Sequence, residues 1–521
     1  MRVVFKGVSS MQINGENITL ENLYQIATTP SMKVELSASG KAAMQKSRSY
    51  IEGRISSGEV MYGVNTGFGA FSSVRISDAE IEQLQRNLIR SHSVGVGTPF
   101  TKKETRAMMV LRANALAKGH SGIRPVVVEK ILEFLNNDII PVVPSQGSVG
   151  ASGDLAPLSH LALTIIGEGL AWGKDGHPVD VRELLKEKNI EPLELKAKEG
   201  LSMINGCQVM TSVGLLSLWE ARRLLWLADI AGAMSLEGLR GTRKAFDPLI
   251  SATRPHPGEA KTARNLMKLL GETSQISESH SINDHRVQDA YSLRCMPAVH
   301  GAAKDALRYV VKVLETEANS STDNPLVFAD ENKVLSCGNF HGMPVAHAMD
   351  FAGIALSSQA SISECRISKM ISTQMSELPA FLTPNGGLNS GHMIVQVAAA
   401  SLVSENKVLA HPASVDSIPT SAEKEDHVSM GTIAARKFAQ ILRNAEHVVA
   451  MELLSACQAI DMLAPLQPNA GVKAVFEHIR KTVPYAKEDR IFYKDIEAIK
   501  AMMLGNELVT VAEKAIGPME W

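Results

Sequence analysis

The sequence has few cysteines and few aromatic residues. Five of its 521 residues are cysteines, and aromatic side chains make up 5% of the chain. No two cysteines form a CxxC pair, so neither a zinc ribbon nor a disulfide framework is encoded. Sparse cysteines of this kind are typical of a reducing compartment, and we expect a cytoplasmic protein.

The chain also lacks a charge excess and a long apolar run. The 53 basic and 55 acidic side chains give a formal net charge of −2. A protein that binds nucleic acid electrostatically carries a strongly basic face, so this balance favours a small-molecule ligand. The uncharged stretch at 201–219 is interrupted by serine, asparagine, glutamine and threonine, so no membrane span is predicted. The first 20 residues do not have the pattern of a signal peptide.

Helical patterns dominate from about residue 78 onward. Pro125 precedes an apolar run, as a first-turn proline does, and apolar residues between 307 and 314 recur at i, i+3, i+4 and i+7. Three segments continue without a proline, at residues 207–238, 298–318 and 428–463. Helices of that length need partners along their whole surface, so the sequence predicts a mainly α fold built on a long-helix bundle.

The pattern divides the chain into three regions. Residues 1–200 form a smaller mixed region, with β-branched runs such as 3–5 and a predicted helix over 37–57. Residues 201–463 are predicted to form the central long-helix bundle, and 464–521 a C-terminal helical cap. Apolar residues lie on more than one face of the long helices, which favours burial between subunits as well as within one.

The most unusual segment is GSVGASGDLAPLSH at residues 147–160. It places Ala151, Ser152 and Gly153 between further glycines. A glycine amide nitrogen is unhindered enough to attack the carbonyl two residues earlier, and the serine hydroxyl can leave as water. Cyclisation and dehydration would give 4-methylideneimidazole-5-one (MIO), an electrophile made from the chain itself.

Taken alone, this segment has two other interpretations. One is a flexible glycine turn that leads into a helix opened by Asp154 and Pro157. The other is a serine hydrolase that uses Ser152 and His160. The string is not G-x-S-x-G, however, and no strand–turn–helix pattern surrounds it.

Metal and nucleotide sites are not indicated. His341 and His347 could join Asp350 as ligands, and His280 could join His285, but neither set has the H-E-x-x-H spacing. Phosphate-binding glycine motifs are missing as well, so neither a metal nor a nucleotide cofactor is expected.

Many segments resemble the aromatic amino acid ammonia-lyase family, which includes histidine, phenylalanine and tyrosine ammonia-lyases and related aminomutases. Residues 147–160 resemble the family's MIO signature. Further matches follow in family order: YGVNTGFG at 62–69, RSH at 90–92, RANALAKGHSGIRP at 112–125, INGCQ at 204–208, VQDAYSLRC at 287–295, TDNPLVF at 322–328, GNFHGMP at 338–344, GLNSGHM at 387–393 and SVDSIPTSAEKEDHVSMG at 414–431.

The resemblance implies an ammonia-lyase/fumarase-like architecture and an MIO group formed from residues 151–153. It also implies a homotetramer whose active sites combine loops from more than one subunit. Tyr62 matches the base that removes a β-proton from the substrate, a task for which a phenol needs help, because its ordinary pKa is about 10. Arg294 matches the residue that binds the substrate carboxylate, and a guanidinium fork suits that partner.

Other matching positions complete the implied site. Asn205 and Tyr291 match residues that lie beside the electrophile and assist it, and Phe340 matches one packed near it. Gln288 matches a residue that helps to hold the substrate. Because Gln288, Tyr291 and Arg294 are spaced at i, i+3 and i+6, the sequence predicts that they form one polar row on a helix.

Two positions bear on the substrate. His92 belongs to a Ser-His pair found in histidine enzymes and in some bacterial tyrosine enzymes. Glu425 stands where histidine enzymes carry a glutamate that faces the imidazole. Many bacterial tyrosine enzymes carry a glutamine there, whereas phenylalanine enzymes can also keep a glutamate. The expected reaction is elimination of ammonia from L-histidine to give urocanate, a step of histidine catabolism. Tyrosine or phenylalanine ammonia-lyase, or a 2,3-aminomutase, uses the same chemistry, and a scaffold that has lost catalysis is a third hypothesis.

Several residues depart from the family pattern. Cys207 stands where threonine is usual, and His392 where an aromatic residue is more common. Ala290 and Met296 are unfamiliar in their segment. Cys207 and Ala290 border predicted pocket residues, so these changes bear on the substrate rather than on the chemistry.

Overall fold

A computed structural model describes residues 10–57, 59–67, 74–77, 80–282, 284 and 286–521. The β-branched run at 3–5, the last two residues of the YGVNTGFG motif (Phe68 and Gly69) and His285 lie outside the described residues.

Helices account for most of the described chain. In chain order they are α1 (Leu20–Thr28), α2 (Ala38–Ser56), α3 (Ile81–His92), α4 (Lys102–Ala117), α5 (Pro125–Asn136), α6 (Leu155–Ile165), α7 (Val181–Lys188), α8 (Glu199–Ile204), α9 (Gln208–Gly238), α10 (Pro248–Thr253), α11 (Pro257–Leu270), α12 (Gln275–Glu278), α13 (Tyr291–Arg294), α14 (Met296–Ala318), α15 (Met343–Ile371), α16 (Thr373–Ser376), α17 (Met393–Leu409), α18 (Gly431–Met462), α19 (Ala470–Arg480), α20 (Phe492–Leu504) and α21 (Glu507–Ile516). Short 3-10 turns occur at Arg243–Phe246 and Ala380–Leu382.

The strands are short and pair only in twos. They are β1 (Ser10–Ile13), β2 (Lys33–Leu36), β3 (Val96–Pro99), β4 (Pro144–Gln146), β5 (Leu170–Trp172), β6 (Pro178–Asp180), β7 (Leu326–Phe328) and β8 (Lys333–Leu335). β1 pairs with β2 in parallel, whereas β3–β4, β5–β6 and β7–β8 are antiparallel. The mainly α class predicted from the sequence is confirmed.

Four long helices form the bundle. α15 contacts α9, α14 and α18, and α9 also contacts α14 and α18. α9, α15 and α18 contain 31, 29 and 32 residues, so each is roughly 45 Å long at about 1.5 Å per residue. The helices predicted over 207–238, 298–318 and 428–463 are therefore confirmed as α9, α14 and α18. The helix predicted over 37–57 is α2, and Pro125 is the first residue of α5.

Buried ion pairs connect the helices of the bundle. Lys304 of α14 lies 2.6 Å from Asp229 of α9, and both side chains are fully buried. Arg366 of α15 donates to Glu452 of α18 at 2.9 Å. Breaking such a pair leaves an uncompensated buried charge, so these contacts fix which helix faces pack together.

A contiguous apolar core extends from Ile13 near the start of the described chain to Met519 near its end. In the N-terminal part, α4 is buried along nearly its whole length and packs on α1, α5 and α9. α6 packs on α3 and α8. This packing brings the loop before α6, at residues 147–154, against the junction of α8 and α9. None of the described helices is both long and apolar enough to cross a membrane.

Candidate active site

The loop at residues 147–154 makes a tight turn that only glycine permits at two positions. Gly150 and Gly153 have φ angles of +67° and +72°. A Cβ atom at Gly153 would lie 2.2 Å from the carbonyl oxygen of Gly206, closer than any real contact. The amide of Asp154 donates to that same oxygen at 2.7 Å. The backbone of residues 151–153 is therefore pressed against the segment that joins α8 to α9.

Asp154 holds the loop against the first turn of α9. The sequence places it at the start of α6, and it is indeed the N-cap residue, but its side chain makes no capping bond to α6. Its Oδ2 instead accepts the amides of Val209 and Met210, both at 3.0 Å, in the first turn of α9. Its Oδ1 accepts the hydroxyl of Ser148 at 3.0 Å and that of Thr432. Burial raises the pKa of this carboxyl, while those four donors oppose the shift.

Residues far along the chain hold the other side of the loop. The carbonyl oxygen of Gly150 accepts the hydroxyl of Ser429 at 2.8 Å and the amide of Gly342 at 3.3 Å. The amide of Met430 donates to the carbonyl oxygen of Val149 at 2.8 Å. The beginnings of α15 and α18 thus close over residues 149–150.

Ser152 lies beside one of the predicted substrate residues, Glu425. Its hydroxyl donates to Oε1 of Glu425 at 2.6 Å. Oε2 of Glu425 accepts the hydroxyls of Thr420 and Ser421 at 2.9 Å each. His92 is the last residue of α3. Burial lowers the pKa of its imidazole, while a backbone hydrogen bond at Leu88 and the charge of Glu425 oppose the shift. The carboxylate that contacts the serine therefore also acts on the His92 imidazole through its charge.

Asn205 follows α8 and is buried next to the turn. Its Nδ2 donates to Oδ1 of Asp323 and to the carbonyl oxygen of Asn324, both at 3.3 Å. Its own carbonyl oxygen accepts a bond from Arg112 at 2.8 Å. Its Oδ1 is buried and has no hydrogen-bond partner among the described residues.

Phe340 and Tyr62 lie on the flanks of this region. The carbonyl oxygen of Phe340 accepts the thiol of Cys207 at 3.0 Å, which ties it to the residue two places after Asn205. Tyr62 is partly buried, in the turn over residues 62–64. The next residue, Gly63, packs so tightly on Leu201 of α8 that a Cβ there would come within 2.5 Å of it. The tyrosine loop therefore lies on the helix that ends at Asn205.

Comparison with known proteins identifies the family. A family model described as aromatic amino acid lyase matches residues 18–481. The chain belongs to the aromatic amino acid lyase family. It is 48% identical over 509 residues to a histidine ammonia-lyase of Alkaliphilus oremlandii (strain OhILAs), covering 98% of this chain and 99% of the relative.

Solved structures of the family have the same fold. The crystal structure of histidine ammonia-lyase from Trypanosoma cruzi matches with a TM-score of 0.90 and 42% identity, over 97% of this chain and 96% of the other. Tyrosine aminomutase from Streptomyces globisporus matches with a TM-score of 0.93 and 36% identity, over 98% of this chain and 100% of the other. The resemblance found in the sequence is confirmed, and this aromatic amino acid lyase is a carbon–nitrogen lyase of the ammonia-lyase type.

The segment that carries Gln288, Tyr291 and Arg294 lies apart from Ser152. The prediction of one helical row is wrong, because α13 begins only at Tyr291 and the preceding Ala290 has an extended backbone with ψ of 153°. Gln288 is exposed, and Tyr291 is 72% exposed. Arg294 donates to the carbonyl oxygen of Asp289 at 3.1 Å, and its guanidinium lies 4.5 Å from the ring centre of Tyr291. Within the described residues, no hydrogen bond or ring contact joins these side chains to the Ser152 region.

Sequence reasoning assigned no role to several residues that the structure places beneath the turn. They share burial and hydrogen bonds to Asn205, Asp154 or each other: Arg112, Ser148, Lys198, Ser202, Asp323 and Thr432. Arg112 and Asp323 fall in the matched segments RANALAKGHSGIRP and TDNPLVF, so the available signal was a motif without an assigned function. Over the same described ranges, no three histidine, cysteine or acidic side chains gather in a way that could hold a metal ion.

Proposed function

We propose that this chain eliminates ammonia from L-histidine to give urocanate. The observation that carries the proposal is the position of Glu425, 2.6 Å from the Ser152 hydroxyl and within electrostatic reach of His92. A carboxylate there can accept a hydrogen bond from a substrate imidazole directly beside the tripeptide. The identity of 48% to a relative named histidine ammonia-lyase supports the same substrate.

We infer that Ala151, Ser152 and Gly153 form MIO. The residues present fit this group, because the left-handed Gly153 has no room for a side chain against Gly206, and the buried Oδ1 of Asn205 is left without a partner nearby. The group supplies an electrophile that makes the substrate amino nitrogen a better leaving group.

The other residues bind, orient and move protons. Tyr62 removes the β-proton, and a phenol can do so near neutral pH only where its neighbours stabilise the phenolate. Arg294 binds the substrate carboxylate through its guanidinium fork. His92 and Glu425 hold the imidazole.

The remaining predicted residues shape the pocket. Gln288 helps to hold the substrate, and Phe340 packs near the MIO group. Asn205 and Tyr291 lie beside that group and assist it.

The exposed positions of Gln288 and Tyr291, next to the half-buried Arg294, support a shared active site. We propose a homotetramer in which this segment of one copy reaches the Ser152 turn of another. Apolar side chains exposed on α17 agree with burial by a second copy, since Ile394, Val397 and Val408 are 63%, 51% and 75% exposed. All five cysteines are free, which supports a cytoplasmic location.

A substrate panel tests the proposal. Purified protein is incubated separately with L-histidine, L-tyrosine and L-phenylalanine, and urocanate, coumarate and cinnamate are followed by absorbance. We expect urocanate from histidine and an intact mass lower than the encoded chain by two waters. Coumarate or cinnamate without urocanate would overturn the histidine assignment in favour of a tyrosine or phenylalanine ammonia-lyase. A β-amino acid, followed by chromatography, would favour the aminomutase alternative, which the structural match to a tyrosine aminomutase supports.

A further inference from the structure

A fully buried ion pair lies behind Asn205. Nζ of Lys198 is 2.8 Å from Oδ2 of Asp323, and neither side chain is exposed. The hydroxyl of Ser202 donates to the same Oδ2 at 2.9 Å. Lys198 has a left-handed backbone with φ of 71°, a conformation that is costly for a residue with a side chain. The carboxylate of Asp323 is therefore held by two buried side chains, those of Lys198 and Ser202.

The other oxygen of Asp323 faces the side chain of Asn205. Oδ1 accepts the amide of Asn324 at 2.7 Å and Nδ2 of Asn205 at 3.3 Å. Nδ2 also donates to the carbonyl oxygen of Asn324. An ionised carboxylate and a carbonyl oxygen can only accept, so both partners require the NH2 group of Asn205 on their side. The amide is thereby fixed in one of its two orientations.

The ionisation of Asp323 is part of this arrangement. Burial opposes the charged form, but the charges of Lys198 and Arg112 hold the pKa of Asp323 below its ordinary value. A protonated Asp323 could donate to Asn205, which would leave only the carbonyl oxygen of Asn324 to select the orientation of the amide. The charged form of Asp323 can only accept, so it selects the same orientation as that carbonyl oxygen.

The fixed amide lies next to the tripeptide. Asn205 precedes Gly206, whose carbonyl oxygen accepts the amide of Asp154 and whose backbone lies against Gly153. Oδ1 of Asn205 is the only hydrogen-bonding atom of this side chain that the described residues leave unused. It can accept an N–H bond but cannot donate one.

We propose that Asp323 is a positioning residue. Held by Lys198 and Ser202, it orients the Asn205 amide so that Oδ1 accepts a hydrogen bond from the reacting amine. This inference rests on the proposed function and extends it to a residue that does not touch the substrate.

The test is a double-mutant cycle between D323N and N205A in the full-length protein, with L-histidine as the probe and urocanate as the readout. An asparagine at 323 can donate to Asn205, so only the carbonyl oxygen of Asn324 still selects the orientation of the amide. We expect D323N to lower kcat by about 10- to 100-fold, the loss typical of a misplaced reacting group. In the N205A background, measured at high enzyme concentration, the same change should cost less than about threefold, because coupled residues are not additive.

The affinity for L-histidine separates positioning from general damage. Calorimetric titration should show dissociation constants within about threefold of each other for the wild type and D323N, because uniform binding is not affected. Equal losses of kcat in both backgrounds, or a folded D323N with unchanged kcat, would overturn the proposal.

D229N is the matched control, because Asp229 also forms a fully buried pair with a lysine but contacts His300 and Asn265 rather than a site residue. It should lower the melting temperature while kcat of the folded fraction stays within about twofold, since its effect is structural. A kcat loss in D229N as large as in D323N would count against a specific role for Asp323.

If D323N does not fold, Ser202→Ala replaces it in the cycle. This variant removes one hydrogen bond to Asp323 and leaves the ion pair. A loss of kcat that vanishes in the N205A background supports the proposal, and a loss that persists there overturns it. If the wild type releases coumarate or cinnamate instead, the histidine assignment fails while the cycle is run with the amino acid that is turned over, so the two failures are distinguished.

Discussion

Two regions of this chain carry the predicted site, and they differ in how complete they are. Around Ser152, residues that are far apart in sequence are joined by direct contacts, as in the bond from Ser152 to Glu425, 273 positions later. Around Arg294, the hydrogen bond and the ring contact that the described residues give its guanidinium are both to its own segment, at Asp289 and Tyr291. The first region is assembled by the core of one chain, whereas the second is presented on its surface.

The Ser152 region and the Arg294 region are held in place by different contacts. The turn at 150–153 is fixed by contacts from α8, α9, α15 and α18. The Tyr291–Arg294 turn is held by Arg366, which donates to the carbonyl oxygen of Ser292 at 3.3 Å. Ser292 and Leu293 are buried in it, whereas Tyr291 is exposed. The contacts of the first region therefore come from distant parts of the chain, and those of the Arg294 guanidinium from its own segment.

The strongest test of the Ser152 region is S152A. Without the hydroxyl, the chain cannot lose the second water, and we expect activity to fall by more than about 1,000-fold, since enzymatic rate enhancements are at least of that order. Intact mass should no longer show the loss of two waters. S159A is the control, because Ser159 is buried on α6 and bonds only to the carbonyl oxygen of Leu155. A fully active S152A would show that the two regions do not differ in the way described.

R294A should have the next largest effect. Losing a charged, bidentate hydrogen-bond donor to the substrate carboxylate should raise KM for histidine by about 10- to 100-fold. The mass loss of two waters should remain complete, because Arg294 makes no contact with the Ser152 turn within one described chain. R264A, which breaks only a surface pair with Glu520, should leave KM unchanged. An incomplete mass loss in R294A would show that the Arg294 segment affects the Ser152 turn, contrary to the separation described above.

Mixing the two variants tests whether the regions of different copies meet. S152A and R294A are co-expressed, and the mixed oligomer is purified through different affinity tags. If each site takes Ser152 from one copy and Arg294 from another, activity should recover to about a quarter of the wild type, because intact sites form at random in a closed oligomer. Recovery no greater than that of R294A alone would place both residues of a site in the same chain.

E425Q should have the smallest effect, on the pKa of His92. The charge of Glu425 raises this pKa against the effect of burial, so removing the charge should lower it further below its ordinary value. Titration of the His92 imidazole by NMR measures the change. E423Q, an exposed position two residues away, should leave the pKa where it is. A pKa that rises in E425Q would contradict the electrostatic effect of Glu425 on His92.

The helices were accessible from the sequence because they are long and strongly patterned. Cys207 to Gly238 lacks proline and charge clusters that would end a helix, and α9 follows that span within one residue. The row from Gln288 to Arg294 was not accessible in the same way. A spacing of three residues is necessary for a helical face but does not show that the helix exists, and here it starts at Tyr291.

For the site, motifs located the segments but not their contacts. The proximity of Ser152, Glu425 and His92 depends on tertiary packing, and so does the choice of Asp154 to bind α9 instead of its own helix. No local sequence pattern indicates the role that we propose for Asp323. That role depends on its contacts with Lys198, Ser202 and Asn205, which are all distant in sequence. The catalytic and binding roles assigned to these residues stay predictions that the variants above test.

The loop that contacts Gly206 through Gly153 is also held by segments that the ribosome synthesises much later. Bonds from Ser429, Met430 and Thr432 reach the turn, so its final geometry exists only after more than four fifths of the 521 residues have been synthesised. Any backbone chemistry in this loop is consequently a maturation event of the nearly finished polypeptide. Truncated translation products that end before residue 429 would carry residues 151–153 without the hydrogen bonds from Ser429, Met430 and Thr432 that hold the loop.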